Sequence, residues 1–259
     1  MESNARVFLK LFVLFCPMFK RCFSSEKKKK APGLTALTLQ AQYATLASTG
    51  NTPQCQTVIQ QLQSMLGDGV SSSVQLTAAH VFLSAGMKKE ALQCVHQGST
   101  MEHLTLCVQI YIILDRLDLA QKALKQLRRT DEDSMLTQLA SVQVALATGS
   151  SMAGEAAHTL NQISEQYGPS PMLLNLTACA HMQAGNYKEA EGKLQQAREE
   201  FSANDADTLV NSIVVSQYLH KPVGDLTAAL KQHYPNHFLS VGIDTVEGAF
   251  DREAIKYRV

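Results

Sequence analysis

The chain has no tryptophan, and its aromatic residues are limited to seven tyrosines and nine phenylalanines. That scarcity argues against base-stacking platforms for single-stranded nucleic acid. Neither sign of charge dominates, with 23 basic and 23 acidic residues, but the charge is unevenly placed. Residues 1–30 carry a net +6 and the remainder a net −6, so the body lacks the basic stripe that phosphate-backbone binding requires. The six cysteines (Cys16, Cys22, Cys55, Cys94, Cys107 and Cys179) contain no C-x-x-C pair. Four of them fall on apolar helical faces, which fits reduced, buried thiols better than a disulfide framework. No proline occurs between Pro53 and Pro169, which permits long uninterrupted helices. No apolar run reaches the roughly 20 residues of a membrane span; the longest candidate, Val7 to Phe19, is broken by Lys10 and Pro17.

What the chain does contain is a repeat. Gly86-Met87-Lys88-Lys89-Glu90-Ala91 and Gly185-Asn186-Tyr187-Lys188-Glu189-Ala190 share Gly-x-x-Lys-Glu-Ala, and degenerate copies place alanines at Ala120 and Ala156. A period near 34 with two helical patterns per unit is the mark of a tetratricopeptide-type array. The unit at 171–204 puts Ala178, Ala190 and Ala197 where helices must approach closely, and Ala79, Ala91 and Gly98 repeat that spacing. Val108 and Leu127 occupy two such places in the unit at 100–130, and Gly149-Ser150-Ser151 extends the next one, so the array is irregular.

Apolar residues at helical spacing predict helices over Leu34–Ser48, Gln54–Leu66, Val74–Ala85, Lys88–His96, Glu102–Leu114 and Leu117–Arg129. They continue over Glu132–Ala147, Met152–Tyr167, Met172–Gln183, Tyr187–Phe201, Ala206–Leu219, Val223–His233 and Thr245–Tyr257. The fold class is all-α, a tetratricopeptide-like α-solenoid of antiparallel helix pairs over residues 31–259, curved as stacked pairs are. Residues 1–30 form an atypical basic and apolar leader, expected to be disordered and dispensable for the fold. Its readings include a signal-peptide core without a cleavage site and a presequence ending near Arg21-Cys22-Phe23-Ser24-Ser25. The start of the array near Leu34, Leu37 and Leu39 is expected to be apolar and uncapped.

Chemistry is hard to find. His233 and His237 have zinc-helix spacing, but Pro235 breaks the helix and no glutamate follows His233. Cys94 and His96, like Cys179 and His181, sit two apart and point to different helical faces. Gly67-Asp68-Gly69 is a turn with no phosphate-loop Lys-Ser/Thr after it. No catalytic, cofactor or metal residue is proposed. In a two-helix repeat the first helix lines the inner groove, and the candidate partner-binding positions there are Leu76, His80, Leu83, Thr105, Gln109, Ile112, Asn175, Cys179, Met182, Leu209 and Ile213. The alternative for each is the core between repeats.

Several stretches together resemble the coatomer epsilon subunits. They are His96-Gln97-Gly98, Leu114-Asp115-Arg116-Leu117-Asp118-Leu119-Ala120, and Asp131-Glu132-Asp133 followed by Leu136-Thr137-Gln138-Leu139-Ala140 and Leu146-Ala147-Thr148-Gly149. Leu173-Leu174-Asn175, His181-Met182-x-x-Gly185, Glu189-Ala190-Glu191, Leu209-Val210-Asn211 and Phe250-Asp251-Arg252 continue the resemblance, which begins near Ala31-Pro32. It implies a non-enzymatic subunit of the COPI vesicle coat that clasps the C-terminal region of the alpha subunit. It further implies a role in Golgi-to-ER retrograde and intra-Golgi transport, in the cytoplasm and peripherally on Golgi membranes and coated vesicles, with no cofactor, nucleic acid or small-molecule substrate. The family's usual two further repeats at the front are missing here. The rival reading is a generic tetratricopeptide adaptor; a chaperone-tail clamp would need Lys and Arg, which the inner positions lack.

Overall fold

The computed structural model describes residues 32–48, 52–67, 70–98, 100–201 and 204–257. The leader at 1–30 lies outside these residues. Among the described residues there is no strand, and 13 α-helices follow one another. They are α1 (Pro32–Ser48), α2 (Thr52–Met65), α3 (Ser72–Ser84), α4 (Lys88–Val95), α5 (Met101–Ile113), α6 (Leu117–Thr130) and α7 (Met135–Thr148). Then come α8 (Ala153–Tyr167), α9 (Pro171–Gln183), α10 (Tyr187–Phe201), α11 (Ala206–Tyr218), α12 (Gly224–His233) and α13 (Phe238–Ala254), with 3₁₀ turns at Ser150–Met152 and Ile255–Tyr257. The chain divides into two compact units, residues 1–148 and 149–259.

In the first unit α1 packs on α2 and α3, α3 on α4, α5 on α6, and α7 on both α5 and α6. In the second, α9 packs on α8, α10 and α11, and α12 joins α11 to α13. Four of the pairs, α3–α4, α5–α6, α9–α10 and α11–α12, turn in the same way. Backbone N–H groups of Gly86 and Met87 donate to Leu83 and Phe82, those of Asp115 and Arg116 to Ile112 and Tyr111, and those of Gly185 and Asn186 to Met182 and His181. His220 and Lys221 do the same to Gln217 and Ser216. This paired bonding closes the carbonyls of the preceding helix and needs a left-handed residue. Gly86 and Gly185 supply it without strain, whereas Asp115 (φ 62°) and His220 (φ 56°) adopt it against the preference of a side chain bearing a Cβ. Together with Gly149, these positive-φ residues recur at intervals of 29, 34, 36 and 35, so the turns carry the period.

Helix starts carry it too. Thr100, Ser170 and Asp205 each cap a first helix, accepting from the backbone N–H three residues on, and Pro171 sets the first turn of α9. The expected helix from Glu132 begins instead at Met135. Asp131 Oδ1 accepts from both Asp133 and Ser134, so the acidic residues close a turn ahead of the helix. The final helix starts at Phe238, ahead of the expected Thr245. His237 Nδ1 caps it by accepting from Leu239 N, and Gly242 and Gly248 mask its periodicity.

The small positions behave as their spacing requires. Ala79, Ala91, Ala178, Ala190 and Ala197 are fully buried. Gly98 lies against His103, the third residue of α5: a Cβ at Gly98 would fall 2.2 Å from two ring carbons and 2.7 Å from the His103 Cβ. The expected apolar start near Leu34, Leu37 and Leu39 falls only partly among the described residues. Ala36, Leu39 and Tyr43 of α1 are buried against its neighbours and Leu37 is half-buried, while Thr35, Thr38, Ala41, Gln42, Ala44 and Thr45 face outward. The side chain of Leu34 is outside the described set.

Replacing Gly98 with alanine should cost about 1–3 kcal/mol, because the Cβ of His103 cannot rotate away. Replacing Gly192, mid-helix in α10 with nothing within 4 Å of its would-be Cβ, should instead gain about 0.5–1 kcal/mol. Urea unfolding of the two variants checks the opposite signs.

Candidate partner-binding surface

First and second helices of each pair bury differently. In α5 every residue from His103 to Ile110 is buried, and α3, α7, α9 and α11 are nearly as enclosed. The second helices bury a single stripe: in α6 Ala120, Ala123, Leu124 and Leu127 point inward while Lys122, Lys125, Arg128 and Arg129 stay in water. Within each unit a first helix is covered by the helices packed on it, α5 by α6 and α7, and α9 by α8, α10 and α11, which leaves little of it open. The eleven candidate positions all lie on such helices. Leu76, Leu83, Thr105, Gln109, Ile112, Asn175, Leu209 and Ile213 are buried, and only His80, Cys179 and Met182 are half-exposed. As exposed groove residues the first eight are therefore corrected: their apolar and amide side chains build the packing between helices.

In the second unit part of that packing is polar. Asn175 Nδ2 donates to the Pro171 carbonyl at 2.9 Å and to Thr208 Oγ1 at 2.7 Å, and its Oδ1 accepts from Asn211 Nδ2 at 2.9 Å. Thr208 Oγ1 in turn donates to Asp205 Oδ1, and the Cys179 thiol points at Asn211 Oδ1 at 3.9 Å. These bonds run from α9 to α11 and satisfy both buried amides, so they fix the register of two neighbouring first helices. Only the spacing of Asn175 and Asn211 by 36 residues, close to the repeat period, could have signalled the ladder in the sequence. Replacing Asn175 with leucine should destabilise the fold by about 1–3 kcal/mol by leaving the Asn211 donor unpaired, measurable as a shift in the urea midpoint.

In the first unit a residue nearer the helix start, His103, makes the polar link between neighbouring first helices. Its Nδ1 lies 2.7 Å from Thr100 Oγ1 and 3.4 Å from Ser72 Oγ, joining α5 to the start of α3. Its Nε2 is buried without a hydrogen-bond partner, and burial lowers its pKa against the opposing effect of Glu102.

Three of the described thiols are held far from nucleophilic form. Burial pushes the Cys94 and Cys107 thiols up to about 11, and burial with the nearby Asp207 carboxylate pushes Cys179 up to about 12. Such thiols stay protonated at neutral pH and are poor ligands and poor attackers. His233 ends α12 and His237 caps α13, so the pair spans a turn. Among the described residues no cluster of three His, Cys, Asp or Glu could hold a metal ion, and no helix is long and apolar enough to cross a membrane.

Burial lowers the pKa of His80 to about 4. The unfolded chain binds a proton at this imidazole below its ordinary value of 6.5, whereas the folded chain does not until about 4. Stability from this group is therefore lost as pH falls from 6.5 to 4. His80→Gln should flatten the fall in melting temperature between about pH 7 and pH 4.5 relative to the wild type.

The geometry is that of a scaffold, and comparison with known proteins agrees. The family model described as the coatomer epsilon subunit matches residues 19–258, beginning ahead of Ala31. Coatomer subunit epsilon-2 of Arabidopsis thaliana is 33% identical over 238 residues, covering 90% of this chain and 79% of its own length. Epsilon-1 of the same plant is 35% identical over 225 residues, covering 86% and 75%, and the epsilon subunit of Dictyostelium discoideum is 27% identical, covering 85% and 74%. Among solved structures, a tetratricopeptide repeat protein from Parabacteroides merdae superposes with a TM-score of 0.59 at 14% identity, over 89% of this chain and 85% of its own. The APC/C hetero-tetramer Cut9–Hcn1 gives 0.60 at 15% identity, over 93% of this chain and 46% of that one. Those two likenesses establish a tetratricopeptide-like α-solenoid. By the matched length and identity, and in keeping with a fold that holds helices in register, the chain belongs to the coatomer epsilon family, whose members are structural coat components and not enzymes.

Proposed function

We propose that the chain holds the C-terminal region of the coatomer alpha subunit and, through it, joins the rest of the COPI coat. In this reading it supports Golgi-to-ER retrograde and intra-Golgi transport, acting on the cytosolic side of Golgi membranes and coated vesicles. The observation that carries the proposal is the family match across residues 19–258. The local chemistry supports it: the half-buried residues of the first helices include His80, Met172, Cys179 and Met182, which are soft or apolar, beside polar ones such as Gln75 and Asp207, and burial holds the Cys179 thiol protonated. Methionine and cysteine side chains adapt to an apolar partner segment without requiring a fixed charge pattern. The buried candidates act indirectly in this reading, by holding the first helices in the spacing that the partner meets.

The test is co-expression with the C-terminal region of the alpha subunit, followed by gel filtration at moderate salt. The two chains should co-elute, and Met172→Glu with Met182→Glu should weaken the complex at least tenfold while circular dichroism shows unchanged helix content. A folded chain that elutes alone would leave the general tetratricopeptide adaptor as the better account.

A further inference from the structure

Asp207 is a carboxylate without a counter-charge. It stands in the first turn of α11 and is half-buried, and among the described residues it receives no hydrogen bond and pairs with no lysine or arginine. The second unit forms its ion pairs elsewhere: Lys221 with Glu191, Lys231 with Asp244 and Glu247, and Lys256 with Glu253. Capping of the helix does not need Asp207, because Asp205 Oδ2 accepts from Thr208 N at 3.1 Å and Asp205 Oδ1 from Thr208 Oγ1 at 2.8 Å. An acid in the first turn is ordinarily favoured by the helix dipole. At Asp207 burial, joined by the charge of Asp205, outweighs the dipole and pushes the carboxyl up.

Neighbouring bonds fix where this charge stands. Asp207 and Asn211 lie one turn apart on one face of α11, and Asn211 Nδ2 donates to Asn175 Oδ1 of α9. The Cys179 thiol points at Asn211 and is raised by burial and then by Asp207, so the carboxylate stands beside the half-buried Cys179 where α9 meets α11. The polar groups around it are committed to one another: Asn175 Nδ2 donates to the Pro171 carbonyl and to Thr208 Oγ1, and Thr208 Oγ1 donates to Asp205. The fold thus holds a partly dehydrated negative charge in place without supplying its partner. We infer that Asp207 is a charge anchor on the partner-binding surface and receives one lysine or arginine side chain of the partner segment, whose aliphatic stem lies over Cys179. A cation gains there from the low local dielectric, and the carboxylate has already lost part of its water in the free chain. An acidic segment would be repelled, and a wholly apolar one would leave the charge covered and unpaired. The inference rests on the reading that the first helices meet the alpha subunit, and adds that its C-terminal region carries a cation flanked by apolar residues. Thiol and thioether side chains accept many registers of an apolar segment; a single fixed charge selects one.

Asp207→Asn keeps the shape of the side chain and removes its charge. In the free chain it should leave the melting temperature unchanged or raise it, since it removes a carboxylate with no counter-charge. Titration calorimetry with the C-terminal region of the alpha subunit should nevertheless show affinity about tenfold weaker or more. The difference from the wild type should shrink as salt rises from about 0.1 to about 0.5 M. Asp207→Lys should bind more weakly still. Replacing the lysines and arginines of the alpha region one at a time with glutamate should yield one exchange that restores binding to Asp207→Lys, a gain that misfolding cannot produce. Equal affinity of the wild type and Asp207→Asn, or no restoring exchange, would overturn the inference and leave the alpha-subunit reading standing. A lower melting temperature of the free Asp207→Asn chain would make Asp207 a structural residue and overturn it as well. A folded wild-type chain that does not bind the alpha region at all would overturn both.

Discussion

Close approach of helix backbones is the constraint on which this molecule depends. A first helix can be enclosed by several neighbours only if their axes come near one another, which small side chains at most crossings allow, although Val108 and Leu127 stand at two such places in the α5–α6 pair. Ala79, Ala91, Ala178, Ala190 and Ala197 bring methyl groups to these crossings, and Gly98 brings none. Once the backbones are close, longer side chains on the same helices lose contact with water. Leu106, Ile110 and Leu209 then contribute burial, about 1.5–3 kcal/mol for each such side chain before chain entropy is set against it.

That enclosure forces polar residues into special roles. A buried amide or imidazole must find partners inside the protein, and the two units solve this differently. In the second, Asn175 and Asn211 bond to each other and to their surroundings. In the first, His103 fills the space left by Gly98 and leans on two hydroxyls. Both devices fix one helix against the next, and neither presents a group with the pKa or exposure needed for chemistry. The protonated state of the Cys107 and Cys179 thiols follows from the same packing.

The helical plan is legible in the sequence because period, small residues and helix breaks agree. Gly86 and Gly185 reveal the turn; Asp115 and His220 conceal it, since they take the same left-handed conformation with side chains that disfavour it. The start of α13 is hidden because glycines at 242 and 248 interrupt the apolar period and a histidine supplies the cap. The candidate site is less legible. Spacing places Leu76, Ile112 and Ile213 on first helices, but spacing alone does not tell whether a neighbouring helix covers them. Coverage depends on axis distance, which is set by small residues elsewhere in the chain.

The unequal burial of the two helix types bears on how such a chain drifts over generations. An outer helix such as α6 tolerates most exchanges on its wet side, where Lys122, Lys125 and Arg129 make no packing contact that defines the fold. An enclosed helix such as α9 tolerates few, because each residue meets a neighbour in some direction. Kinship should therefore persist longest in the enclosed segments. Leu136-Thr137-Gln138-Leu139-Ala140, Leu173-Leu174-Asn175 and Leu209-Val210-Asn211, three of the stretches by which this chain resembles its family, lie on α7, α9 and α11.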